Sequence, residues 1–318
     1  VYSPQMLRKD LRGEFIEAEM VERPPFLYER ICTIMQSTSD RENYAWLGNP
    51  ASMEEFVDQV PNNTLGDTGE TPQSGSTGPG YEIANKTWVG GLTFTRDNIE
   101  DERVGGFRQR IQDQVAAGQG FPDERLTTKL VAGTSDTCYL QVGATGEAMF
   151  SATHAARGLQ TATWSNYLTG TGSTVAQLQA DVGAALAALY TMRNEANRLM
   201  NMYCRQLFIL CPVALEPNMR IAIYAAIVSQ TSNVGFSPSI EIIPWPLLDA
   251  TSDADWYLGT LDGGMRGLIW QERQGLQYEE IGPGSEMWSD YRQVKYSVNR
   301  RGDAGFGYPQ RLIMTNNS

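Results

Sequence analysis

Pro61-Asn62-Asn63-Thr64-Leu65-Gly66-Asp67-Thr68-Gly69-Glu70-Thr71-Pro72-Gln73-Ser74-Gly75-Ser76-Thr77-Gly78-Pro79-Gly80 holds no aromatic residue and one large apolar side chain, Leu65. Mixed apolar and polar runs flank it. Tyr44 to Val60 carries Trp46, Leu47, Met53, Phe56 and Val57; Tyr81 to Arg96 carries Tyr81, Ile83, Val89, Leu92 and Phe94. Two such runs joined by a Gly/Ser-rich tip predict an extended β-hairpin arm. Loops beyond ~15 residues are uncommon in compact domains and are usually functional. An arm that carries Trp46, Phe56 and Trp88 away from its own domain must bury them elsewhere, and a neighbouring copy of the chain offers that surface. Assembly is therefore the first function to consider, ahead of catalysis.

The totals agree. At 318 residues the chain allows two domains or one elaborated domain. No run of ~18 apolar residues predicts a membrane span, and Val1-Tyr2-Ser3-Pro4-Gln5 lacks the build of a signal peptide. Cys32, Cys138, Cys204 and Cys211 form no Cys-x-x-Cys pair and read as reduced thiols made in a cytoplasm. The net charge of −12 opposes a broad grip on nucleic-acid phosphates. It fits solubility first, and also a protein that surrounds nucleic acid without holding it.

Residues 4–20 predict an amphipathic helix with Leu7, Leu11 and Phe15 on one face, ended by Arg23-Pro24-Pro25. Asp97 reads as an N-cap followed by Ile99, Val104, Phe107, Ile111 and Val115, a helix over 97–117. Gly105-Gly106 predicts a kink, Gly118 to Pro122 an end, and Asp123 a second helix. Residues 134–172 read as loops and short strands. Thr174-x-x-Gln177 is a capping box that opens a helix over 174–202. Strand 206–211, helix 214–228 and strand 239–243 follow, an alternation typical of an α/β subdomain. Beyond 256 the pattern turns to β: 256–259, 267–270 and 276–278, then 293–299 and 311–314 around a turn at Arg301-Gly302-Asp303.

Certain segments resemble the major head proteins of Mu-like phages, within the HK97-fold capsid class. They are Tyr28 to Gly48, Tyr81 to Trp88, Arg96 to Glu102, Glu147 to His154, Asn166-Tyr167-Leu168 and Trp288-x-Asp290 followed by Tyr296 to Arg300. Their order and spacing carry the resemblance across nearly the whole chain. It implies an α+β, HK97-like capsid fold: an N-terminal arm (1–43), an E-loop hairpin (44–95), a P-domain with spine helix (96–172), an A-domain (173–265) and a return to the P-domain sheet (266–318). The inter-subunit residues would be Trp46, Phe56, Tyr81 and Trp88, with a hinge at Gly90 and Gly91, spine residues Ile99, Phe107 and Ile111, and arm residues Leu7, Leu11 and Phe15. The expected function is self-assembly into the icosahedral head of a tailed double-stranded DNA phage or prophage. Pentamers and hexamers would interlock in the host cytoplasm and form the virion shell. A portal, a scaffold or maturation protease, and a decoration protein would be partners, with no cofactor and no membrane. An encapsulin-like compartment is the alternative, and a soluble hydrolase a remote one.

No constellation supports an enzyme. His154, the only histidine, has Asp136, Cys138 and Ser151 near in sequence, but nothing marks an orienter or an oxyanion hole. Asp249, Asp253 and Asp255 lack the spacing of a calcium loop and read as a solvated turn. Gly170-Thr171-Gly172-Ser173 lacks a following Gly-Lys-Ser/Thr and reads as helix capping. The lysines Lys9, Lys86, Lys129 and Lys295 give no basis for covalent cross-linking. Removing 62–79 is expected to weaken contacts between capsomers, and Trp88→Ala to block assembly while sparing the fold.

Overall fold

Along the chain run α1 (Leu27–Ile31), β1 (Cys32–Gln36), β2 (Arg41–Asn43), β3 (Glu82–Ala84), β4 (Lys86–Thr95), α2 (Gly105–Val131), β5 (Thr137–Val142), β6 (Thr145–Ala148) and β7 (Tyr167–Thr169). Then come α3 (Val175–Thr191), β8 (Gln206–Cys211), α4 (Glu216–Tyr224), β9 (Ile227–Val228), β10 (Thr231–Ser232), β11 (Ser239–Pro244), α5 (Pro246–Asp249), β12 (Trp256–Thr260), β13 (Leu268–Ile281), α6 (Glu286–Ser289), β14 (Gln293–Phe306) and β15 (Leu312–Asn316). The structure, a computed structural model, describes Gly13 and residues 26–44, 81–95, 105–142, 145–225, 227–228, 231–232, 239–252, 254–282 and 285–317. It divides into two units: 1–42, 83–128 and 269–305 form the first, and 43–82, 129–268 and 306–318 the second.

The first unit is built on a sheet of order β1-β13-β14-β4. β14 pairs antiparallel with β4 from Gln293↔Thr95 to Gly302↔Lys86. Because strand side chains alternate, Phe94, Val294, Tyr296 and Val298 share one face. Ile111 and Val115 of α2 close over them, both at 0% exposure. Burying each such side chain stabilises by about 2 kcal/mol.

Three sequence expectations change here. Gly118 to Pro122 does not end the helix: α2 continues through Pro122 to Val131. Gly118 serves packing, since a Cβ there would stand 2.9 Å from Leu276 Cδ1 and 3.0 Å from Val298 Cγ1. Arg301-Gly302-Asp303 is not a turn but lies inside the 14-residue β14. Gly302 is needed because the Gln271 carbonyl occupies the place of a side chain, and Asp303 is held by Arg125 at 2.9 Å and Lys86 at 3.0 Å. The expected strands 267–270 and 276–278 are one 14-residue strand, β13.

The second unit has a five-stranded sheet of order β11-β8-β12-β15-β7. β11 is parallel to β8 and β15 to β7, while β12 runs antiparallel to both β8 and β15. α3 opens where the capping box predicts: the Thr174 N–H donates to Gln177 Oε1 at 3.2 Å. It stops at Thr191 rather than 202, and Asn197 then adopts a left-handed turn at φ 59°. Leu178, Val182 and Leu189 of α3 and Met219 and Ala222 of α4 cover Leu207, Ile209, Trp256, Leu258 and Ile313 on one face of the sheet. β8 is buried over five of its six residues, so it reads as an unbroken apolar run. The chain's final return is divided: β14 joins the first sheet, whereas β15 inserts between β12 and β7 of the second.

Candidate assembly elements

Residues 45–80 lie outside the described residues, and the chain on either side of them is paired. The Tyr44 N–H donates to the Tyr81 carbonyl at 2.7 Å, and the Asn85 N–H to the Asp40 carbonyl at 2.8 Å. As one strand runs from 40 to 44 its partner runs back from 85 to 81, so the two ends are antiparallel, as a hairpin arm requires. The Tyr44 and Tyr81 rings lie 6.5 Å apart. Tyr81 Oη accepts from the Phe306 N–H at 2.9 Å, and burial pushes its phenol well above the usual range. Asn85 fastens the neighbouring turn by donating to Ser37 Oγ and to the Ser39 carbonyl, both at 2.7 Å.

β4 falls within the expected return side of the hairpin. β4 does not project; it pairs along its length with β14. Trp88 accordingly finds partners in its own chain. Its indole N–H donates to the Gly302 carbonyl at 3.0 Å, its ring lies 4.8 Å from Phe121, and the Arg125 guanidinium sits 4.8 Å above it. Trp88→Ala would thus disturb the first unit itself rather than spare it. Gly90 and Gly91, the expected hinge, lie mid-strand in β4, opposite Val298 and Ser297. A Cβ on Gly90 would meet only the Gln114 amide, the far end of a flexible side chain on α2.

Of the spine residues, Ile111 is fully buried in the first unit's core. Phe107 belongs to α2 by its backbone, while its side chain, Ile99, Trp46, Phe56, Leu7, Leu11 and Phe15 lie outside the described residues. The sequence reading missed the anchor that follows the N-terminal segment. Phe26 supplies no side-chain cap to α1. Asp123 of α2 does so instead, accepting from the Leu27 N–H at 3.0 Å and the Tyr28 N–H at 2.8 Å. Burial raises its carboxyl above the usual range, although both amide bonds pull the other way. A helix end capped by a residue 95 positions away leaves no local signature.

The candidate catalytic residues are occupied structurally. His154 is at 0% exposure, stacked on Trp164 with centroids 4.1 Å apart. Its Nδ1 is 3.1 Å from Glu147 Oε2 and its Nε2 2.9 Å from Asn166 Oδ1. A ring sealed in this way reaches no substrate. Burial pushes Glu147 upward, but bonds from His154 and the Ala155 N–H and the charge of Arg157 leave its carboxyl below the usual range. Asp249 caps the Val213 and Ala214 N–H groups, Asp255 accepts from the Asn317 N–H, and Asp253 lies outside the described residues. Cys138 and Cys211 are buried thiols, each pushed up to about 12 chiefly by burial. Among the described residues no cluster of three metal-ligating side chains occurs, and no helix is long and apolar enough to cross a membrane.

Residues 5–178 and 246–318 match the family described as Mu-like prophage major head subunit gpT. The Mu-like prophage FluMu major head subunit of Haemophilus influenzae is 30% identical over 117 residues, 37% of this chain and 34% of that one. The major capsid protein of Escherichia phage Mu is 28% identical over 132 residues, 42% and 38% of the respective chains. The match thus spans little more than a third of either relative. Among solved structures, the procapsid of bacteriophage JBD30 aligns over 100% of this chain and 77% of its own, at TM-score 0.55 and 20% identity. The capsid of cyanophage P-SCSP1u aligns over 94% and 90%, at TM-score 0.57 and 11% identity. The SrpI encapsulin of Synechococcus elongatus PCC 7942 aligns over 95% and 94%, at TM-score 0.50 and 10% identity. At these identities the likeness is one of fold, shared by phage and encapsulin shells alike, whereas the family match covers most of the chain. The chain belongs to the family of Mu-like prophage major head subunits and has the mixed α+β fold of HK97-type capsid proteins.

Proposed function

We propose that this chain is the major capsid protein of a Mu-like phage or prophage, self-assembling as pentamers and hexamers into an icosahedral head. The observation that carries the reading is the family match over 5–178 and 246–318. The paired ends of the segment 45–80 add a mechanism. A long excursion fastened at its root can reach a neighbour without unfolding its own body, and Trp46 and Phe56 are the aromatic anchors it would bury there. Residues 1–25, with Leu7, Leu11 and Phe15, would act as a second tether leaving from α1. The α/β block of α3, β8, α4 and β11 would be the axial domain, and the β4/β13/β14 sheet with α2 the peripheral one. The shell would be built in the host cytoplasm and enclose double-stranded DNA without reading its sequence, in keeping with the net charge of −12. A portal, a scaffold or maturation protease, and a decoration protein are the partners such a shell needs.

Deleting residues 62–79 tests the mechanism, because it shortens the excursion without touching Tyr44, Tyr81 or the β2/β3 pairing. The expected result is loss of fast-sedimenting particles with unchanged far-ultraviolet circular dichroism. Normal particles from the deletion variant would remove the arm from the account. The likeness to an encapsulin favours one second reading, a protein compartment. Particle contents separate the two: DNA supports the head and a protein cargo the compartment.

A further inference from the structure

The second unit's five-stranded sheet has α3 and α4 on one face and a cavity of about 550 Å³ against the other. Register builds the cavity floor. Tyr257 pairs with Met314 and Met314 with Tyr167, so three side chains from adjacent strands stand in one row. Phe150 forms a wall with its ring 5.6 Å from that of Tyr257. Asp255 edges the opening. Its Oδ1 accepts from the Asn317 N–H at 2.9 Å, which leaves Oδ2 for a ligand.

Two features make this more than a packing defect. Tyr257 is only 2% exposed, and its hydroxyl, which is not sealed off from the cavity, has no hydrogen-bond partner among the described residues. Secondly, the cavity's charge is one-sided: among the described residues Asp255 lines it, and no lysine, arginine or histidine does. Burial first, then the nearby Asp255 and Tyr167, keep the Tyr257 phenol protonated. An anion would meet the Asp255 carboxylate unscreened, and a purely apolar ligand would leave the Tyr257 hydroxyl unpaired.

We propose that this cavity binds a primary alkylammonium group, with the ammonium on Asp255 and the Tyr257 hydroxyl and the methylene chain along the aromatic row. Aromatic faces attract a cation within ~6 Å, and the carboxylate supplies the counter-charge. A free polyamine and a lysine side chain of another protein share this chemistry. The inference does not depend on shell assembly.

The test is titration of the purified full-length chain with spermidine and, separately, with Nα-acetyl-lysine methylamide, following the aromatic ring signals by nuclear magnetic resonance. Both amines are expected to shift the Tyr257 ring. Tighter binding of spermidine identifies a free polyamine as the source, and tighter binding of the lysine derivative a protein-borne side chain. Asp255→Asn is expected to weaken both by roughly tenfold or more. Thr251→Lys, which places a competing ammonium at the cavity wall, is expected to block both while leaving circular dichroism unchanged, so loss of binding is separable from loss of fold. Equal binding of neutral Nα,Nε-diacetyl-lysine methylamide, unaltered binding in Asp255→Asn, or no shift with either amine would overturn the proposal.

Discussion

The two units solve the same problem, a sheet covered by helices, with different chemistry. The second unit buries a large, almost wholly apolar cluster between its sheet and α3 and α4. The first has an apolar cluster under α2, buries Ile31, Leu126 and Trp270 besides, and ties its segments together through the buried Arg300, Asp303 and Asp123. Arg300, 7% exposed, lies 2.6 Å from Glu272 and 3.3 Å from Tyr28 Oη, with its guanidinium 5.3 Å from the Trp270 ring. Asp303 joins β14 to Arg125 and Lys86, and Asp123 joins α2 to α1. Apolar burial is strong but indifferent to partner, while a charged tie tolerates one geometry. The second unit's sheet and helices meet through apolar area, with buried polar groups such as His154, Asn166 and Asp181 beside it. The first gains a fixed register among three chain segments distant in sequence.

Substitutions can break this contrast. The largest effect belongs to the apolar unit: Trp256→Ala removes a fully buried ring and should cost about 4 kcal/mol in denaturant unfolding, with little change in its dependence on pH. A cost below about 1 kcal/mol would mean that the cluster is loosely packed. Next is Arg300→Ala, which strands Glu272 and should cost about 3 kcal/mol. The double variant Arg300→Met with Glu272→Leu should lose less than Arg300→Ala alone, since no charge is left without its partner. An equal or larger loss would show that the pair contributes net stability rather than register. Asp123→Asn should cost about 1–2 kcal/mol, because an amide can accept from only one of the Leu27 and Tyr28 N–H groups through its oxygen. Hydrogen exchange at those two amides should accelerate first, and unchanged exchange there would contradict the capping role.

The smallest effect is one of pH. Glu42 accepts from Ser37 Oγ at 2.9 Å, from the Thr38 and Ser39 N–H groups at 3.0 and 3.2 Å, and from Ser39 Oγ at 2.9 Å. These bonds, led by Ser37, hold its carboxyl down to about 2 from an ordinary 4.5. A lowered folded value contributes stability above pH 4.5 that is lost as pH falls toward 2. Asp123, raised by burial, acts with the opposite sign. Glu42→Gln should flatten the acid limb of the melting curve between pH 4.5 and 2, and an unchanged limb would mean that the turn is not held by this carboxylate.

The second unit was the more legible in sequence for the same physical reason. Val175, Leu178, Val182, Leu186 and Leu189 repeat at helical spacing, and Leu207 to Cys211 is a bare apolar run, so local pattern matches local structure. The first unit hides its logic in distant pairs. Arg301-Gly302-Asp303 looks like turn chemistry until Gln271 and Arg125 are brought beside it, and Gly118 looks like a helix end until Leu276 and Val298 approach. Of the expected arm, residues 45–80 lie outside the described residues, and only the pairing of its flanks, Tyr44 with Tyr81, is seen.

The most direct test of the central claim is electron cryomicroscopy of the purified chain after gradient sedimentation, with a cognate scaffold co-expressed. The account predicts thin-walled icosahedral shells in which density for 45–80 reaches from one subunit onto its neighbour. Monomers or small oligomers alone, or shells in which 45–80 folds back on its own subunit, would contradict it.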